Sequence, residues 1–96
     1  MGAVGVVGVA THWAGEVFAE LVSSFDTGDH EGARAANARL LPSYEYWSSD
    51  ETPSPLPAKA AMRALGLAVG DARPPMGPSP EALDARARAV VADVRP

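Results

Sequence analysis

From Ala3 to Ala10 every residue is alanine, valine or glycine, and polar side chains begin only at Thr11 and His12. A strand with one wet face alternates apolar and polar positions; this stretch does not. A continuous valine-rich run fits a strand buried on both faces, as in a parallel sheet covered by helices. Gly2, Gly5 and Gly8 weaken a helix here, and the run is too short to span a bilayer as one. No second run of this kind follows. The pattern therefore predicts the last strand of a sheet whose other strands lie outside these residues.

Downstream the period changes from continuous to helical. Trp13, Val17, Phe18, Leu21, Val22 and Phe25 form one apolar stripe, with Glu16, Glu20, Ser24 and Asp26 mostly opposite. This predicts a helix from Trp13 to about Thr27, stopped by Gly28 as the residue after its C-cap. Asp29 is placed to cap a second helix. Its apolar line reads Ala33, Ala36, Leu40, Tyr44 and Trp47, with a kink or break expected at Pro42. Ser48 to Pro57 contains three prolines in five residues and is expected to be an extended strap. Pro57 starts a short third helix that turns Ala60, Ala61, Ala64 and Leu65 inward and ends at Gly66. Ser79 is expected to cap a last helix entered by Pro80, with Leu83, Ala87, Val90 and Val94 inward and Asp84, Arg86, Arg88 and Asp93 solvated.

Composition narrows the function classes. At 96 residues the chain holds one small domain at most. The net charge of −4, with Lys59 as the single lysine, argues against a nucleic-acid surface. There is no cysteine for a disulfide or thiolate site. No signal peptide or membrane span is read, and a cytoplasmic setting is expected.

Candidate chemistry is sparse. The G-x-x-G-x-x-G spacing lies within the strand and is not the dinucleotide fingerprint. His12 and Glu16, four apart, could share a helix face as metal ligands, but no third ligand is evident. Lys59 as a Schiff-base amine would need desolvation or a cationic neighbour; a solvated or capping role fits it better. Asp50 and Glu51 read as a wet loop, and Tyr44, Tyr46 and Trp47 as packing under the strap. No catalytic residue, metal site or organic cofactor is assigned within the chain.

Several stretches taken together resemble the pyruvate-dependent class I aldolases of the N-acetylneuraminate lyase superfamily. Gly2-Ala3-Val4-Gly5-Val6-Val7-Gly8-Val9 resembles their last barrel strand, usually Gly-x-x-Gly-x-Ile-Ser-Val, with Val7 for Ile and Gly8 for Ser. Gly28-Asp29 resembles their Gly-Asp joint, and Leu40-Leu41-Pro42 their Leu-x-Pro kink. Pro55-Leu56-Pro57-Ala58-Lys59 resembles Asn-Pro-Ile-Pro-x-Lys, with Ser54 for Asn. Arg73-Pro74-Pro75-Met76-Gly77-Pro78 resembles Arg-Leu-Pro-Met-x-Pro, with Pro74 for Leu. The last two point to the 4-hydroxy-tetrahydrodipicolinate synthase family.

The resemblance covers the carboxyl-terminal third of such an enzyme. It implies an α/β parent, a (β/α)8 TIM barrel, of which residues 1–28 are the last β/α unit and 29–96 a carboxyl-terminal helical domain. The implied parent is an oligomeric lyase that condenses pyruvate, held as a Schiff base, with aspartate semialdehyde in lysine biosynthesis. The Schiff-base lysine of that family lies upstream, so this chain alone is expected to be inactive. One position carries over: Val7 matches the residue whose backbone contacts the pyruvate site. The competing expectation is a small non-catalytic helical module that uses the apolar arm Ala3 to Ala10 to bind a partner.

Overall fold

Four helices make up the regular structure in the computed structural model, which describes residues 2–95: α1 (Thr11–Asp26), α2 (His30–Trp47), α3 (Leu56–Ala64) and α4 (Glu81–Val94). The outer bounds of the two expected domains, Met1 and Pro96, lie outside the described residues. α1 packs chiefly on α2 and α3 on α4, and α4 also crosses α2.

No strand forms among the described residues. The expected strand Ala3 to Ala10 is instead an arm without regular structure up to Val7, and Val4 and Val7 are 99% and 105% exposed. The physical reason is the one that made the run unusual: a strand needs a neighbour for its N–H and C=O groups, and the chain offers none. Only its last residues are held. Ala10 is buried, and Val9 packs half-buried on the core.

The helix boundaries follow local chemistry. α1 ends in a Schellman arrangement in which Asp29 N–H donates to Ser24 O at 2.8 Å and Gly28 N–H to Phe25 O at 3.0 Å. This turn needs Gly28 at φ +83°, a conformation that costs other residues a Cβ clash. Asp29 then caps α2, accepting from Gly32 N–H at 2.9 Å. α3 closes the same way, with Gly66 at φ +84°, its N–H on Arg63 O at 2.8 Å and Leu67 N–H on Met62 O at 3.1 Å. The α4 start differs from expectation. Pro80, not Ser79, occupies the N-cap position and no side chain caps the helix; the Ser79 hydroxyl, one residue earlier, accepts from Arg63.

α2 runs unbroken through Pro42. Pro42 and Ala38 both lie on the exposed side, where water can satisfy the Ala38 carbonyl that loses its intrahelical partner. Beyond Leu40 the buried line is Ser43 and Tyr46 rather than Tyr44 and Trp47, which are half-buried. Both substitutions in the line carry paired polar atoms. Trp13 Nε1–H donates to Ser43 Oγ at 3.1 Å, and Tyr46 OH donates to the Pro57 carbonyl at 2.7 Å. These bonds offset the cost of burying polar groups.

The core is one cluster reaching from Ala10 and Trp13 to Val94. Val17 and Leu40 are fully buried near its centre, each worth about 1.5–3 kcal/mol of burial. The Trp13 and Tyr46 rings meet edge to face at 5.7 Å and 85°, a favoured aromatic geometry. The Ser48 to Pro57 strap is folded into turns rather than extended, with Leu56 N–H on Pro53 O at 3.1 Å. The turn drives Thr52 and Leu56 into buried positions, which an extended polyproline segment would leave in water.

Candidate functional site

The junction between the arm and α1 is the first place where polar groups converge. Ala10, the N-cap of α1, has no side chain to donate or accept. Thr11 and His12 reach back instead. The Thr11 hydroxyl donates to Gly8 O, and His12 meets Val9 O at 2.8 Å through Nδ1 and at 3.1 Å through its backbone N–H. A carbonyl only accepts, so Nδ1 carries the proton in this contact. α1 leaves helical geometry at Ala14, φ −116° and ψ 21°, between His12 and Glu16.

His12 and Glu16 are therefore separated by a kink, with His12 already committed to the arm. Among the described residues no group of three or more His, Asp or Glu side chains could hold a metal ion. Val7 stands free beyond the junction, and its side chain meets no other candidate residue. The two ends of the arm thus behave differently: Gly8 to Ala10 are fastened to α1, and Gly2 to Val7 are exposed.

Beside the arm lies a groove of about 440 Å³ lined by Gly2, Ala3, Gly5, Leu21, Val22, Phe25 and Asp26. It is the uncovered continuation of the α1 stripe. Trp13, Ala14 and Val17 at the start of α1 are buried by the other helices. Leu21 and Val22 are half-buried, and Phe25 is 61% exposed. The His30 ring lies against Phe25, 5.2 Å between centroids.

The second polar centre was not singled out in the sequence. Arg63 on α3 donates to Asp84 at 2.9 Å, to Gly70 O at 3.0 Å and to Ser79 Oγ, with Asp71 at 3.7 Å. Asp84 is thus half-buried and paired rather than part of a solvated face. One helical turn earlier, Lys59 Nζ donates to Val69 O at 2.8 Å. Lys59 and Arg63 together hold the loop between α3 and α4. The signal for this was their spacing of four on one helix, each able to reach loop carbonyls. Of the remaining candidates, Glu51 meets Arg86 at 3.4 Å on the surface and Asp50 is exposed. Tyr44 packs against Phe18 at 6.2 Å. No nucleophile–base pair is assembled from these residues.

No helix of the described residues is long and apolar enough to cross a membrane. No solved structure matches the chain. Curated relatives do. The chain is 38% identical over 81 residues to the 4-hydroxy-tetrahydrodipicolinate synthase of Parasynechococcus marenigrum, covering 84% of this chain and 26% of that protein. It is 32% identical over 94 residues to the enzyme of the same name from Acaryochloris marina, covering 98% and 31%. The synthase of Acidothermus cellulolyticus is 41% identical over 76 residues, covering 79% and 24%. The chain thus spans about a quarter to a third of the length of the relatives it matches. The Dihydrodipicolinate synthetase family model matches residues 1–93, and the chain belongs to that family.

Proposed function

We propose that these residues form the carboxyl-terminal part of a Schiff-base-forming lyase that condenses pyruvate with aspartate semialdehyde. In this reading residues 1–28 supply the last β/α unit of a (β/α)8 barrel, and 29–96 the helical domain that follows it. Val7 sits on the last strand with its backbone turned to the pyruvate site. The barrel's earlier strands provide the amine that captures pyruvate. No metal or organic cofactor takes part, the parent assembles as a homo-oligomer, and it works in the cytoplasm on the diaminopimelate route to lysine.

The observation that carries the reading is the arm. It is uncharged and apolar on both faces, yet Val4 and Val7 have no cover. Such a segment is stable only when a sheet pairs its edges and other layers cover its faces. Membership of a family whose named relatives are synthases supplies the chemistry. Lys59 does not supply it in this reading: its Nζ donates to the Val69 carbonyl at the loop between α3 and α4.

The test is a hybrid in which residues 1–96 replace the matched segment of the Parasynechococcus marenigrum synthase. The hybrid is expected to condense the two substrates and to be trapped with pyruvate by borohydride on an upstream lysine. The 96-residue chain alone is expected to give neither turnover nor an adduct. A folded hybrid that traps no pyruvate contradicts the reading, as does a productive adduct on Lys59 of the isolated chain.

A further inference from the structure

The side-chain bonds between α1 and the arm run in one direction. Thr11 and His12, the first two residues of α1, both donate backwards. The Thr11 hydroxyl reaches the Gly8 carbonyl, and His12 Nδ1 reaches the Val9 carbonyl at 2.8 Å. Within a helix a threonine hydroxyl can bond the carbonyl three or four residues earlier. At the first residue of α1 that carbonyl lies outside the helix, on the residue that follows Val7. The bond therefore carries the order of the helix out to the edge of the exposed arm.

We infer that Thr11 is a positioning residue for the pyruvate site. Its hydroxyl fixes the carbonyl of Gly8, and through that residue the angle at which the Val7 backbone meets bound pyruvate. The inference rests on the proposed function, which puts Val7 at that site, and it adds the group that holds the Val7 backbone in place.

Gly8 is where the chain needs holding. Glycine has the widest choice of backbone angles, and this one lies between Val7 and α1. The anchor on the helix side is firm: Trp13, Ala14 and Val17 are buried, and Trp13 is bonded to Ser43 of α2. Ala10 at the N-cap makes no side-chain bond, so the tether comes from Thr11 and His12. Burial decides between these two. The Thr11 bond is partly buried and the His12 bond is exposed, where water competes for both partners, so Thr11 carries more of the constraint. Gly8 also offers a second route to the same constraint. Its φ is not positive, and a Cβ built on it would sit 3.8 Å from Thr11 Cγ2, an ordinary contact. Alanine therefore fits there and narrows the backbone.

The experiment measures kcat, and KM for pyruvate and for aspartate semialdehyde, in the hybrid described above. Thr11→Val removes the hydroxyl and keeps the shape; Thr11→Ala repeats the loss with a smaller side chain. Each is expected to raise the KM for pyruvate about two- to tenfold, the factor that one lost hydrogen bond is worth. The KM for the aldehyde is expected to stay unchanged. Thr11→Ser keeps a hydroxyl and is expected to retain the original pyruvate KM. Gly8→Ala added to Thr11→Val is expected to recover about two- to fivefold, because alanine restricts the backbone that the bond no longer holds. Thr27→Val removes a hydroxyl bonded to the Ser23 and Ser24 carbonyls at the other end of α1, and is expected to leave both KM values alone. A merely structural role for Thr11 would lower the melting temperature and the yield of active hybrid without raising one KM selectively. An unchanged pyruvate KM in a folded Thr11→Val or Thr11→Ala hybrid, equal rises in both KM values, or no recovery with Gly8→Ala overturns the inference and leaves the proposed function standing. Failure of both variants to fold overturns it as well, by making Thr11 a folding residue. An unsubstituted hybrid that folds but traps no pyruvate defeats the proposed function, and this inference with it.

Discussion

Trp13 Nε1–H donates to Ser43 Oγ across the α1–α2 contact at 3.1 Å, with both residues buried. The bond ties the first turn after the arm to the carboxyl-terminal half of α2, close to the Trp13–Tyr46 ring contact. Ser43→Ala removes the acceptor and leaves an indole N–H without a partner in the core. The expected cost is about 1–3 kcal/mol, read as a lower urea midpoint with an unchanged slope. Trp13→Phe in the same background is expected to recover part of the loss, because the unpaired donor is gone.

Tyr46 gives a pH-dependent prediction. Burial, and after it the Asp84 carboxylate, pushes its phenol up to about 12, while Arg86 and Arg63 pull the other way. The unfolded chain ionises this group near 10. The folded state therefore binds the proton more tightly above that pH. The stability tied to this proton is full below about pH 10 and falls as pH rises from there through about 12. Tyr46→Phe is expected to flatten that fall. At neutral pH it is expected to cost about 1–2 kcal/mol, from the Pro57 carbonyl left without its donor. Denaturant melts at pH 7, 9 and 10.5 on both proteins check the sign.

Arg63 and Arg39 form ion pairs of unlike consequence. Arg63 is 28% exposed and serves a carboxylate, a carbonyl and a hydroxyl at once. Arg39 meets Glu20 alone at 2.7 Å, with side chains 42% and 50% exposed. Arg63→Ala is expected to cost about 1–3 kcal/mol and to loosen the loop between α3 and α4. Arg39→Ala is expected to cost below about 0.5 kcal/mol. Thermal melts of the two variants, with hydrogen exchange at Val69 to Ser79, separate them.

Val7 distinguishes a barrel strand from a free arm. In the hybrid enzyme Val7→Ile is expected to be nearly silent in activity, and Val7→Asp severe, because an unpaired charge would enter a buried strand. In the isolated chain both changes are expected to be small, since Val7 is fully exposed there. Equal and small effects in both settings would remove Val7 from any buried strand.

The helices were legible where local chemistry decides. Gly28, Asp29, Pro57 and Gly66 mark ends that the structure reproduces to within a residue or two, because caps and positive-φ turns depend on nearest neighbours. What escaped the sequence depends on distant partners. Ser43 and Tyr46 enter the core only because Trp13 and the Pro57 carbonyl complete their hydrogen bonds, and apolar periodicity does not register such pairs. Ser79 had the composition of a cap, but Arg63 claims its hydroxyl. The arm is the reverse case. Its sequence specifies burial on two faces, and among the described residues no sheet forms that could bury it. The family resemblance read from Gly2 to Val9, Gly28-Asp29 and the two proline motifs agrees with the match over residues 1–93.

The central claim of the proposed reading is that the arm becomes a strand only where a sheet outside these residues pairs with it. Hydrogen exchange on the isolated, monomeric 96-residue chain tests it most directly. The account predicts that the amides from Val4 to Val7 exchange close to the rate of an unstructured peptide, while the buried turns of α1, α2 and α4 are protected. A monomer in which those arm amides are strongly protected would contradict it, because the chain would then be supplying the partner strand itself.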